Sequence, residues 1–408
     1  MKRSARGKVR RPWGRIALGT VAGVVLATSA FLQSLSNLTE EGSPVLAAKV
    51  WPDNDRALAR VASLQLAASQ TAAAMMQSGE AALDSASVDE DLSGVREFAL
   101  RALAASPLNS AAFRNLAYLA LIKQDEVQAL AYARTAESLS RRDAAAQLLL
   151  TRAALLESDF ATALAHFDVA LRTSNSANRE MFPLLASALT SDEIRTSFRP
   201  YMRSDNPWLT DFLLFAIESA PAPAVVGRLV ADAPALPERP GASLQEIAVL
   251  RMVQVNEPAL ARRIAMQVPE EQRPAADGGL SNSSLSLAAG IVQPFDWVPA
   301  NDGTLNFSDL TDGISVTSEY SYRGELLRQM TTLSPGAYQL RYSGALSPGV
   351  GWTVTCTGTG EQLVAGSAAT TAGFTVPEGC DGQWVRLNAQ GTAPVNAEIS
   401  EVTIATAN

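Results

Sequence analysis

Three regimes of apolar and polar positions follow one another along the chain. Residues 16 to 35 (IALGTVAGVVLATSAFLQSL) carry no charge, and a helix of about twenty such residues reaches across a hydrocarbon core. From Ala57 to about residue 270 the apolar positions fall at helical spacing, first in an alanine-rich run to Gln77 and then in paired segments parted by short polar turns. From about Ala289 the period changes to alternation: ISVTS from Ile314, YQLRYS from Tyr338, WTVTC from Trp352, FTVP from Phe374, QWVRL from Gln383 and EVTI from Glu401. Turns such as Ser334-Pro335-Gly336 and Ser347-Pro348-Gly349 part these runs, as expected of short strands. The pattern predicts a multidomain chain, α then β. Its parts are a basic tail (1–15), a transmembrane anchor (16–35), a tether (36–55), a helical solenoid (56–270), a Pro/Gly/Ser-rich linker (271–288) and an antiparallel β-sandwich of jelly-roll type (289–408).

The helical region repeats itself. Ala102, Ala136 and Ala170 fall 34 residues apart, as do Val95, Ala129 and Ala163, and Pro107, Arg141 and Asn175. A fixed period of this length marks an array in which each helical hairpin buries its apolar face on its neighbour. In the clearer copy Ser158-Asp159 makes the turn, Ala163 and Ala170 are small where helices cross, and Phe167 fills the space between them. These offsets resemble the tetratricopeptide repeat (TPR) over about 80 residues, counting a half-copy at Val95–Pro107. The aromatic of the first helix is present as Phe113 in one copy and replaced by Gln147 in the next. The resemblance implies a protein-binding array whose first helices line the concave wall. By register Arg114, Asn115, Tyr118 and Arg152 face that wall, where they either hold a carboxylate of a partner peptide or form a solvated helix face.

Beyond Arg179 the period is lost but the helical reading continues over Met181–Leu189, Glu193–Met202, Pro207–Glu218 and Ala224–Ala231, with LPERPG from Leu236 as a turn. Ser243 and Glu246 have capping-box spacing, and Asn256-Glu257-Pro258 starts a return helix. These segments read as degenerate hairpins that continue and cap the solenoid.

In the β region, parity sets Cys356 with Trp352 and Val354, facing inward. Cys356 and Cys380 are the only cysteines. In an exported domain they are expected to form a disulfide, two buried thiols being the alternative. Parity also buries Val385 and Leu387 and turns Trp384 and Arg386 outward, as it does Gln339 and Arg341. If the two strands share a sheet, Trp384, Arg386, Arg341 and Gln339 make an indole-and-guanidinium platform suited to a glycan; the alternative is that Trp384 packs against the helices.

Charge adds a direction. Seven of the 33 basic residues lie in the first 15 positions with no acid among them, and the remaining 26 face 41 acids. That acidic body argues against nucleic acid as a partner. The basic tail ahead of the uncharged run sets an amino terminus inside and the body outside the cytoplasm, although small residues at Ala27, Ser29 and Ala30 leave a cleaved signal peptide open. No phosphate loop, HExxH or GxSxG pattern occurs. His166, the only histidine, lacks a recognisable orienting acid and nucleophile. The acids Asp296, Asp302, Asp309, Asp312, Glu319 and Glu325 lie mostly in turn contexts. No cofactor, metal site or catalytic residue is expected.

The order of basic tail, anchor, alanine-rich repeats and terminal β domain resembles TPR proteins of proteobacteria found with cell-envelope and exopolysaccharide functions. Pro207-Trp208, Phe295-Asp296-Trp297, Leu333-Ser334-Pro335-Gly336-Ala337-Tyr338 and the cysteine pair carry that resemblance. It implies a non-enzymatic scaffold, single-pass in the bacterial inner membrane with its body in the periplasm, that binds a protein partner through its repeats. Binding of polysaccharide through the β domain is the alternative.

Overall fold

Side-chain caps at a fixed spacing set the helical array. In a computed structural model, which describes residues 13–78, 85–174, 177–233 and 243–407, the chain forms two compact units, Met1–Ala177 and Asn178–Asn408. The first contains α1 (Trp13–Thr39), α2 (Pro44–Val50), α3 (Asp55–Ser78), α4 (Ser85–Ala105), α5 (Ser110–Ile122), α6 (Glu126–Leu139), α7 (Ala144–Leu156) and α8 (Phe160–Thr173). Asn109, Asp125, Asp143 and Asp159 each accept the backbone N–H three residues on, satisfying a donor that the helix leaves open. The bounds of α7 and α8 are those of α5 and α6 advanced by 34. Gln124 and Ser158, also 34 apart, both take the left-handed conformation that turns one helix into the next. Ala102, Ala136, Ala170, Val95, Ala129 and Ala163 are all buried, so the period is the spacing of close helix crossings.

Residues 36 to 55 are a clasp rather than a tether. Buried Ser36 donates to the Ala47 carbonyl at 2.9 Å and accepts from Asn54 Nδ2 at 2.8 Å, while Asn54 Oδ1 caps α3 through Ala57 N–H. Arg56 and Arg60 pair with Glu40 and Glu41 at 3.7 and 3.5 Å. Among the described residues no helix is long and apolar enough to cross a membrane; the side chains up to residue 25, and so half of the run read as an anchor (16–25), lie outside the description. The basic tail up to residue 12 and the LPERPG turn lie outside it too.

In the second unit come α9 (Ala177–Ala188), α10 (Asp192–Phe198), α11 (Leu209–Ser219), α12 (Pro223–Asp232), α13 (Leu244–Gln254) and α14 (Pro258–Ala265). Phe182, Phe198, Trp208 and Phe212 pack in tilted and edge-on pairs at 5.4 to 6.1 Å, the geometry that aromatic quadrupoles favour. Ser243 caps α13 by accepting Glu246 N–H. These helices share their unit with the strands. A Cβ on Gly382 would meet Pro258, and one on Gly358 would meet Asn256. The Val292 amide donates to the Gln272 carbonyl, and Arg262 donates to the Ala275 carbonyl.

The strands are β1 (Val298–Pro299), β2 (Leu305–Asp309), β3 (Ile314–Thr331), β4 (Gly336–Leu346), β5 (Val350–Cys356), β6 (Gln362–Ser367), β7 (Thr371–Val376) and β8 (Gln383–Thr406). They form one antiparallel, barrel-like sheet and not the two sheets of a jelly roll. QWVRL and EVTI, which read as two strands, are the ends of β8. That strand pairs with β3 along both halves, with β5 through residues 383–389 and with β4 through residues 397–406. Register shifts between Thr317, Ser321 and Arg323 carry β3 round the bend. The sheet thus closes over a core in which Trp352 of β5 meets Tyr342 of β4 at 6.1 Å and Trp297 at 5.7 Å. At Gly344 (φ +138°) a Cβ would lie 2.0 Å from the Glu398 carbonyl oxygen, so β4 crosses β8 there only because no side chain intervenes.

Residues 271 to 288, read as a linker, are bound into this unit. Leu285 is part of the sheet's core. Buried Gln329 accepts from Ser281 N–H and donates to Ser281 C=O, both at 3.0 Å. Val402 N–H donates to Ser283 C=O. A Gly/Ser/Asn-rich composition signals irregular backbone, and here a side-chain amide satisfies that backbone as a strand would.

Candidate binding sites

The residues that register placed on a concave wall are largely consumed inside the array. Arg114 pairs with Asp143 at 3.0 Å and donates to Ser63 Oγ at 3.0 Å. Asn115 is buried, with Nδ2 on the Ala59 carbonyl at 2.8 Å and Oδ1 accepting from Ser63. Tyr118 reaches the Ala145 carbonyl at 3.4 Å. These contacts hold α5 against α3 and α7. Arg152 alone stands exposed, and it borders a cleft of about 270 Å³ between α5, α6 and α7.

That cleft has an apolar floor of Leu121, Leu130 and Leu149, walls of Val127 and Leu156, and a rim of Glu126, Arg152 and Glu157. Val127 is 84% exposed and Leu156 66%. The caps fix this geometry. Apolar residues sit directly beside the hairpin turns, in the first turn of α6 and the last of α7, where polar residues are the norm. The signal in the sequence is Ile122, Val127, Leu155 and Leu156 flanking two turns, whereas the 34-residue pattern marks only the interior positions.

His166 is half-buried on α8, its Nδ1 donating to Gln147 Oε1 at 2.7 Å, with Glu137 at 3.6 Å. Gln147 in turn donates to the Arg141 carbonyl at 3.2 Å. The amide that replaces the expected aromatic is therefore paid for by a histidine 19 positions on. His166→Ala leaves the Gln147 oxygen buried and unmatched, and is expected to cost about 1–2 kcal/mol in urea unfolding followed by far-UV circular dichroism. A loss within 0.3 kcal/mol of zero, a margin of about the usual additivity error, would show that the bond contributes nothing.

On the sheet, Val385 and Leu387 are buried and Trp384 and Arg386 face outward. The guanidinium carbons of Arg328 and Arg386 each lie 5.2 Å from the Trp384 ring centroid. Arg386 also meets Glu325 at 2.9 Å and Thr355 Oγ1 at 2.7 Å; burial pulls its pKa below the ordinary arginine value, with Glu325 opposing. Near Glu325, burial and the Asp302 carboxylate raise the Tyr322 pKa. Gln339 and Arg341 do not join this group. They bond one another at 2.8 Å and pair with Ala405 and Thr403, at the opposite end of β8 from Trp384. Parity placed each residue on the right face but could not show that β8 is long enough to separate them. Arg328 and Glu325 were missed because β3 reads as ending near Ser318.

Cys356 and Cys380 form a disulfide, S–S 2.08 Å. The turn acids serve the backbone: buried Asp296 accepts from Trp297 N–H and Asn282 Nδ2, and Asp302 accepts from Thr304. Among the described residues no group of three or more His, Cys, Asp or Glu side chains is placed to hold a metal.

No family profile matches the chain, and no curated protein does. Among solved structures, a crystal structure of accessory secretory protein 1, 2 and 3 in Streptococcus pneumoniae is 17% identical, with 26% of this chain and 89% of that chain covered and a TM-score of 0.23. A likeness of that extent carries neither fold nor function across.

Proposed function

We propose that this chain is a non-enzymatic accessory protein of TPR type, anchored in a bacterial inner membrane by residues 16–35 with its body in the periplasm, and that its repeats hold a protein partner. The observation that supports partner binding is the cleft between α5, α6 and α7. An apolar floor open to solvent favours an apolar anchor side chain from the partner, since burying one contributes about 1.5–3 kcal/mol. Two carboxylates against one guanidinium on the rim favour a basic residue beside that anchor.

Photo-crosslinking amino acids at Val127 and Leu156 are expected to trap the same discrete adduct in cells, and one at exposed Arg134, on the outer side of α6, none. Leu156→Asp should abolish the Val127 adduct without changing the melting temperature. Equal labelling at all three positions, or none, would remove the reading.

A second reading is favoured by the Arg328–Trp384–Arg386 group. Two guanidinium groups against one indole suit an acidic polysaccharide, whose carboxylates pair with arginine while sugar C–H faces meet the ring. Both arginines face Glu325, Arg386 at 2.9 Å and Arg328 at 3.6 Å, and Arg328 is the better placed of the two because its side chain is the more exposed. Trp384→Ala is expected to weaken retention on an alginate affinity gel at least about fivefold, near 1 kcal/mol, with the unfolding midpoint little changed. Retention equal to that of the unaltered protein, or no retention by either, would dismiss it.

A further inference from the structure

The Ser36 clasp places α2 level with the end of the apolar run, and we propose that α2 and the last turn of α1 form a membrane-contact surface that seats the helical array on the bilayer. This rests on the reading of residues 16–35 as an anchor. A helix rises about 1.5 Å per residue, so twenty residues fill a core about 30 Å thick. Leu35 then lies at its outer edge and Leu38 about 4.5 Å beyond, within the headgroup zone. Ser36 bonds the Ala47 carbonyl, which brings Val45 and Leu46 back to the same level. Leu38 is 82% exposed, Val45 50% and Leu46 51%. Three large apolar side chains thus stand in water at the height where the interface begins.

The surrounding chemistry fits a lipid surface. Lys49 is the only charged side chain on α2, long enough to reach phosphate while its stem stays in the apolar layer. Half-buried Trp51 follows at the end of α2, and indoles favour the interface. Of the acids flanking α2, Glu40 and Glu41 are matched by Arg56 and Arg60, which limits repulsion from anionic headgroups and leaves exposed Asp53, beyond Trp51, as the acid outside those pairs. The Ser36–Asn54 bonds keep α2 from swinging away from this height.

The test uses the full chain reconstituted in vesicles of phosphatidylethanolamine and phosphatidylglycerol. Nitroxides are attached to F31C, V45C, L46C and V127C, the two native cysteines being bonded to each other. Collision with oxygen, relative to a water-soluble nickel chelate, should rise severalfold at positions 45 and 46 over position 127, and rise further at 31. If 31 lies in hydrocarbon while 45 and 46 match 127, the anchor stands and the docking surface falls. If 31 also matches 127, the anchor fails and the docking surface with it.

Discussion

Phe212→Ala is expected to destabilise the second unit by about 3–5 kcal/mol, the cost of emptying a fully packed aromatic site. Phe212 has no exposed surface and touches Phe182, Phe198 and Trp208 at 5.4, 5.6 and 6.0 Å. Its removal leaves three rings without a common neighbour, and rigid rings collapse poorly into a void. Domains of this kind have total stabilities of about 5–15 kcal/mol, so the variant should melt many degrees lower. Phe212→Leu keeps most of the volume and should lose clearly less. The measurement is urea unfolding followed by near-ultraviolet circular dichroism, which reports on packed aromatics. A loss below about 1 kcal/mol, the level of an ordinary surface change, would show that the cluster does not hold α9, α10 and α11 together.

Reduction of the disulfide should cost the same unit about 3 kcal/mol. The bond closes a loop of sequence separation 24, and loop closure of that length removes roughly this much entropy from the unfolded chain. The loop also packs on the turn before α14 through Gly358 against Asn256, and Gly382, two residues past Cys380, meets Pro258 at the start of α14. Loosening the loop should therefore lower the melting temperature of the second unit and leave that of the first unchanged. C356S/C380S should behave as the reduced protein does. Equal loss in both units, or no loss, would contradict this account.

The helical half was the more legible. Alanines at 34-residue spacing and an Asp before each second helix are local signals, and local signals decide helical hairpins. What the sequence hid was where polar side chains are spent. Arg114 and Asn115 look outward by register, yet Ser63 and Asp143, remote in sequence, claim them. In the β half, inward and outward faces followed from parity because alternation is a property of the strand itself. Strand length did not follow. Gln390 to Pro394 contains Gly391 and Pro394 and reads as a break, whereas β8 bends there and goes on. The disulfide was legible from two cysteines and one parity argument. The linker was misread because the composition of residues 271–288 signals irregular backbone, and cannot show that Gln329 waits 48 residues away to bind it.

The central place of β8 bears on when the sheet can form. Every strand that β8 pairs with, β3, β4 and β5, precedes it in the chain. The sheet's partners are therefore far apart in sequence, an arrangement of high contact order that folds slowly compared with the hairpins of the first unit. During synthesis, and during any passage through a translocation pore, β3 to β7 must wait with open edges until residues 383–406 arrive. Such edges are prone to pair with other chains. The protein thus has a first unit that can fold as it emerges and a second whose closure is set by its last strand, so holding chaperones would matter to one and hardly to the other.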